Sequence, residues 1–164
     1  MSISNYVSSS HNHAPEYQQS GVPWSLTKVL PQVKNDSTVE VNGVDTPFNT
    51  DTAIELFKFN FSSLTRWFMI QNHSNNGDNI RLYFNKDAAK TAFEADIANQ
   101  DKHYYIIDEG HITKRLELKC KYVYLVPAVK AKALRVSVHA GLTSIPLENF
   151  PDQTKNNGFT GVED

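Results

Sequence analysis

The 164-residue chain contains a single cysteine, so no internal disulfide can brace it. Cys120 closes the run Leu116-Glu117-Leu118-Lys119-Cys120, where a lone thiol reads as a small apolar core residue, and assembly under reducing conditions is expected. An excess of one charge is missing as well. The 16 basic and 18 acidic side chains give a formal net charge of -2, and no Lys/Arg cluster of the kind that binds a phosphate backbone is present. A nucleic-acid partner is not expected. No apolar run approaches the roughly 18 residues of a membrane-crossing helix. Met1-Ser2-Ile3-Ser4-Asn5-Tyr6 lacks the basic and apolar regions of a signal peptide, so no membrane role is expected. The sequons at Asn35, Asn60 and Asn72 are then chance matches. There is no G-x-S-x-G elbow, no phosphate-cradling glycine loop and no H-E-x-x-H. No catalytic residue, no metal site and no cofactor is expected.

What is present divides into three parts. Residues 1–35 have the composition of an extended arm, with Ser8-Ser9-Ser10 and prolines at 15, 23 and 31 that oppose helix formation. The arm nevertheless carries Tyr17, Val22, Trp24, Leu26, Val29 and Leu30, which are costly to leave in water. Docking on another surface would cover them, and the expected partner contacts are Tyr17, Gln18, Gln19, Val22, Pro23, Trp24 and Leu26.

Residues 36–146 alternate with period two in short runs bounded by turn residues. Asn42-Gly43 between Val39, Val41 and Val44 is a hairpin signal. Phe57, Phe59 and Phe61 share one face. Further strands are expected at Trp67–Gln71, Ile80–Phe84, His103–Ile107, Arg115–Lys119, Tyr122–Val126 and Leu134–His139. Ala89, Phe93 and Ile97 recur every four residues, so one short helix is expected within 86–99. The expected fold is all-β, an antiparallel β-sandwich of jelly-roll-like form with one short helix, followed by a polar tail over 147–164.

Several residue groups admit a chemical reading beside a plain one. His11-Asn12-His13 could place two imidazoles together, but no third ligand follows. His73, His103, His111 and His139 are scattered along the chain. Asp108-Glu109 before Gly110 reads as a turn, with a carboxylate pair as the catalytic alternative. Tyr122 and Tyr124 share a strand face and are the best candidates for a sugar-stacking platform. The basic residues Lys114, Arg115, Lys119, Lys121, Lys130 and Lys132 read as a solvated strand face with edge lysines.

The segment His13-Ala14-Pro15-Glu16-Tyr17-Gln18-Gln19-Ser20-Gly21-Val22-Pro23 resembles the start of structural proteins of tailed bacteriophages, in which E-Y-Q-Q-S-G-x-P precedes a small β-domain. Leu64-Thr65-Arg66-Trp67, Gln71-Asn72, Leu82-Tyr83-Phe84, Arg115-Leu116-Glu117-Leu118-Lys119 and Ala140-Gly141-Leu142-Thr143-Ser144-Ile145-Pro146 extend the likeness over most of residues 13–146. It implies a non-enzymatic virion component, a capsid decoration or cement protein or a neck or tail component, assembled in the host cytoplasm. The implied partners are the major capsid protein, other virion proteins and further copies of this chain, as a homo-oligomer such as a trimer. A glycan-binding module on the particle surface is the alternative. The insertion at 86–102 and the tail after 147 depart from the pattern, which leaves the position within a particle open.

Overall fold

The computed structural model describes residues 22–34, 37–75, 77–91, 104–128 and 132–149. In chain order the elements are β1 (Pro23–Leu30), β2 (Thr38–Val41), β3 (Val44–Pro47), α1 (Asp51–Ile54), a 3-10 turn (Glu55–Phe57), β4 (Lys58–Asn60) and β5 (Thr65–Asn72). They continue with β6 (Ile80–Tyr83), α2 (Lys86–Lys90), β7 (Tyr105–Ile107), β8 (Tyr122–Pro127), β9 (Leu134–Leu142) and a 3-10 turn at Leu147–Asn149. Every strand pairing is antiparallel. One sheet has the order β1-β9-β5, a second β4-β8-β6-β7, and β2-β3 form a separate hairpin. The all-β, antiparallel architecture expected from the sequence is the one observed.

Local chemistry fixes several of these elements. The β2-β3 hairpin turns at Asn42 and Gly43, both in the left-handed region at φ 52° and 81°, as a two-residue primed turn demands. Thr50 caps α1 by accepting from the Ala53 amide at 3.3 Å, and Asn85 caps α2 by accepting from the Asp87 amide at 2.7 Å. Asp51 of α1 pairs with Lys86 and Lys90 of α2, which ties the two short helices together and holds its carboxyl below the usual range.

The core lies where the inward-facing residues of the two main sheets meet. Val136, Val138, Ala140 and Leu142 of β9 and Phe68 and Ile70 of β5 join Phe59, Leu82, Val123 and Leu125 of the opposing sheet in one buried cluster. Phe61, Phe68 and Phe84 add ring contacts with centroids 6.1 and 6.4 Å apart. Phe57, Phe59 and Phe61 all point inward, as their spacing indicates. The central strands β6 and β8 of the four-stranded sheet are covered on both faces, so Tyr83, Tyr122 and Tyr124 are buried and β8 has no exposed residue. Cys120 is buried, and burial raises its thiol to about 12, with the Thr65 hydroxyl opposing.

Two expectations need correction. The arm does not run to residue 35: Pro23–Leu30 is a strand of the domain, paired along its full length with β9 from Pro23 opposite Gly141 to Leu30 opposite Leu134. Residues 1–21 lie outside the described residues. The Arg115–Lys119 alternation does not make a strand; the chain over 111–120 runs beside β5 and forms isolated bridges with it at Leu116, opposite Phe68, and at Ile112, opposite Gln71. The short helix expected within 86–99 forms as α2 over Lys86–Lys90, and a further one, α1 at Asp51–Ile54, has no counterpart in the sequence reading.

Candidate docking surface

Strand β1 stands at the edge of the three-stranded sheet, and its alternate residues have different work. Trp24, Lys28 and Leu30 turn toward the core. Trp24 is half-buried and meets the Phe61 ring edge-on at 4.9 Å. Part of the Trp24 ring is therefore already covered by its own domain, which leaves less of it for a partner than the sequence reading supposes. Leu26, opposite Val138, remains 39% exposed at the margin of the same face. Val22, 71% exposed, and Pro23 stand at the solvent-facing start of the strand. Of the residues expected to bind a partner, Tyr17, Gln18 and Gln19 lie outside the described residues.

The opposite face of this sheet is polar and hydrogen-bonded across strands. Ser25 Oγ lies 3.0 Å from His139 Nδ1, and Thr27 Oγ1 lies 2.6 Å from Ser137 Oγ, which in turn lies 2.7 Å from His73 Nε2. Thus two histidines distant in sequence meet one face on either side of Ser137, a convergence that only strand register could reveal. Next to them Trp67 lies across Gly141, where an added Cβ would stand 2.4 Å from the indole nitrogen. The Arg115 guanidinium stands 5.7 Å from the indole ring and pairs with Glu117. The Arg115 contact holds the Glu117 carboxyl below its usual range. His111 is elsewhere, its Nδ1 2.8 Å from the Glu109 carbonyl, and His11, His13 and His103 lie outside the described residues.

The other candidate groups do not form a binding surface. Tyr122 and Tyr124 share a face of β8 but are only 9% and 1% exposed, so neither ring offers a stacking platform. Lys58 sits over the Tyr122 ring at 4.4 Å, and burial, then Glu55, raise the Tyr124 hydroxyl above the usual tyrosine range. Asp108 and Glu109 stand at a turn completed by Gly110 at φ 65°, with Glu109 accepting from the Gly77 amide. Lys132 pairs with the buried Asp78 at 3.2 Å. Among the described residues no group of three or more His, Cys, Asp or Glu is placed to hold a metal ion, and no helix is long and apolar enough to cross a membrane. No family model, no curated protein and no solved structure matches the chain.

Lys28 is the unusual group of β1. Its ammonium is turned inward, donates to the carbonyls of Leu56 at 2.8 Å and Lys58 at 2.7 Å, and lies 4.4 Å from the centre of the Phe59 ring. Burial lowers it to about 8 from the ordinary 10.5, with Glu55 opposing. Because the folded value is the lower one, the unfolded chain binds more protons between the two values, and stability from this group rises with pH across that window. Denaturation midpoints measured at both ends of the window should therefore show the wild type gaining on Lys28→Met as pH increases. A constant difference between the two proteins would refute this account.

Proposed function

We propose that the chain is a non-enzymatic structural component of a bacteriophage virion, a decoration or cement protein that attaches to the major capsid protein or another virion protein through its leading segment. One observation carries the reading beyond the sequence resemblance: the leading segment joins the domain at an exposed corner, Val22, beside an edge strand. Polar chain attached to such a corner, with Pro15 opposing a helix in it, is suited to lie in extended form on a neighbour, where main-chain hydrogen bonds and pocketed side chains give affinity. Tyr17, Gln18, Gln19, Val22, Pro23 and Leu26 remain the contact residues of this proposal, with the open part of Trp24 beside them. Attachment at many equivalent positions would multiply modest single contacts into lasting occupancy.

The decisive experiment is removal of residues 1–21, which keeps β1 intact. The shortened protein should retain the far-UV circular dichroism of the full chain and lose its place on particles. Undiminished particle occupancy by the shortened protein would overturn the proposal.

A further inference from the structure

The two edges of the three-stranded sheet are treated differently. Along β5, the Phe68 amide donates to the Leu116 carbonyl at 3.0 Å, the Leu116 amide returns to Phe68 at 2.9 Å, and Thr65 and Asn72 donate to Cys120 and His111. That edge is covered. On the other side, the Leu142 amide donates to the Val22 carbonyl at 3.1 Å, which continues the register of Pro23 opposite Gly141. In an antiparallel ladder hydrogen-bonded pairs fall at every second residue, so Val22, Trp24, Leu26, Lys28 and Leu30 direct their main-chain groups to β9. Ser25, Thr27 and Val29 direct theirs away from it. Among the described residues no strand pairs with that side of β1.

Pro23 and Pro31 occupy the same outward phase, one at each end of the strand and equally distant from Thr27. Neither has an amide hydrogen to offer. We propose that β1 pairs antiparallel with β1 of a second copy of this chain, about a twofold axis at Thr27, to give a continuous sheet of order β5-β9-β1-β1-β9-β5. In that register each Pro23 faces Pro31 of the other copy, so no donor is wasted. Ser25 faces Val29 and Thr27 faces Thr27, which makes about six main-chain hydrogen bonds, two for each facing pair. A register shifted by one pair step sets a proline opposite a residue whose carbonyl then has no amide donor in ladder geometry. The facing side chains Ser25, Thr27 and Val29 carry no charge, and Val29, 61% exposed, gains cover. This symmetry about one residue selects a second copy as the occupant, because a twofold interface is built from one patch meeting itself.

Prolines and inward lysines are also devices that keep sheet edges apart. Lys28 does not act in that way here. Its ammonium already has two carbonyl acceptors and an aromatic ring inside its own chain, so pairing strips little water from it.

Sedimentation equilibrium of the full chain should show a species of twice the monomer mass that grows with concentration. Thr27→Lys sets two ammonium groups directly opposite and should raise the dissociation constant severalfold, with an unchanged circular dichroism spectrum. Thr27→Cys adds a register test. Across a hydrogen-bonded pair the two Cα atoms lie about 5.5 Å apart, inside the disulfide range. Mild oxidation should link this variant into dimers. Ser25→Cys should stay unlinked, since its two copies are separated by four residue steps, about 13 Å. Buried Cys120 does not compete. A monomer mass at every concentration, or linking of Ser25→Cys as readily as Thr27→Cys, would overturn the pairing. No particle enters these measurements, so self-pairing and virion attachment stand or fall separately.

Discussion

Replacing Phe68 by alanine is expected to cost about 3 to 5 kcal/mol and to lower the thermal midpoint by on the order of 15 °C. Phe68 is fully buried on β5, between the Phe61 and Phe84 rings, and its neighbours come from both main sheets. Truncation therefore removes an aromatic side chain at the place where the sheets meet. Backbone elements on either side are held in register by β9 and by the Leu116 bridge, so the space cannot close easily. Thermal unfolding followed by circular dichroism checks the expectation. A loss below about 1 kcal/mol would mean that the two sheets do not share this core.

The second large effect is expected at Asn72, a fully buried amide at the end of β5. Its Nδ2 donates to the carbonyls of Asp78 at 2.7 Å and Ile107 at 3.3 Å, while its Oδ1 accepts from the Ser74 amide at 3.0 Å. These three bonds join β5, the turn before β6, and β7. Asn72→Ala leaves two carbonyls and one amide without their partner and should cost about 2 to 4 kcal/mol, since buried polar groups lose more when abandoned than when never buried. Asn72→Asp has nearly the same shape but replaces the donor with an acceptor facing two carbonyls. It should be at least as harmful as alanine. Urea denaturation of the two variants separates shape from hydrogen bonding, and full stability of Asn72→Asp would sink the explanation.

The β-rich character of the domain was legible because its signals are local. Asn42-Gly43 fixes a turn through its own backbone preferences, and Phe57, Phe59 and Phe61 declare an inward face by spacing alone. Strand β1 was not legible. Prolines at 23 and 31 read as interruptions, yet at the first residue of β1 a missing amide hydrogen falls on the side with which none of the described strands pairs. The alternation at Arg115–Lys119 misled for the complementary reason: polar and apolar residues alternate there, but β5 accepts only isolated bridges from this segment. In β6 and β8 alternation signalled strands correctly without separating wet from dry faces, because these two central strands are buried on both sides.

The candidate surface was legible only in part. Val22 and Pro23 are exposed, as a contact role requires, whereas the tryptophan two positions from Val22 packs in part against its own core. Hydrophobicity identifies a side chain that must be covered and says nothing about which molecule covers it. The meeting of His73, Ser137, Thr27, Ser25 and His139 depends on β9 lying between β1 and β5, a long-range pairing that spacing cannot encode.

That placement of β9 also governs how the protein can be made. The first and last described strands are neighbours, so a chain emerging from the ribosome has β1 and β5 in hand with nothing to join them until Leu134–Leu142 follows. Nascent chains stopped before that point should keep β1 sensitive to protease, and full protection should arrive late and all at once, as expected when closure waits on distant contacts.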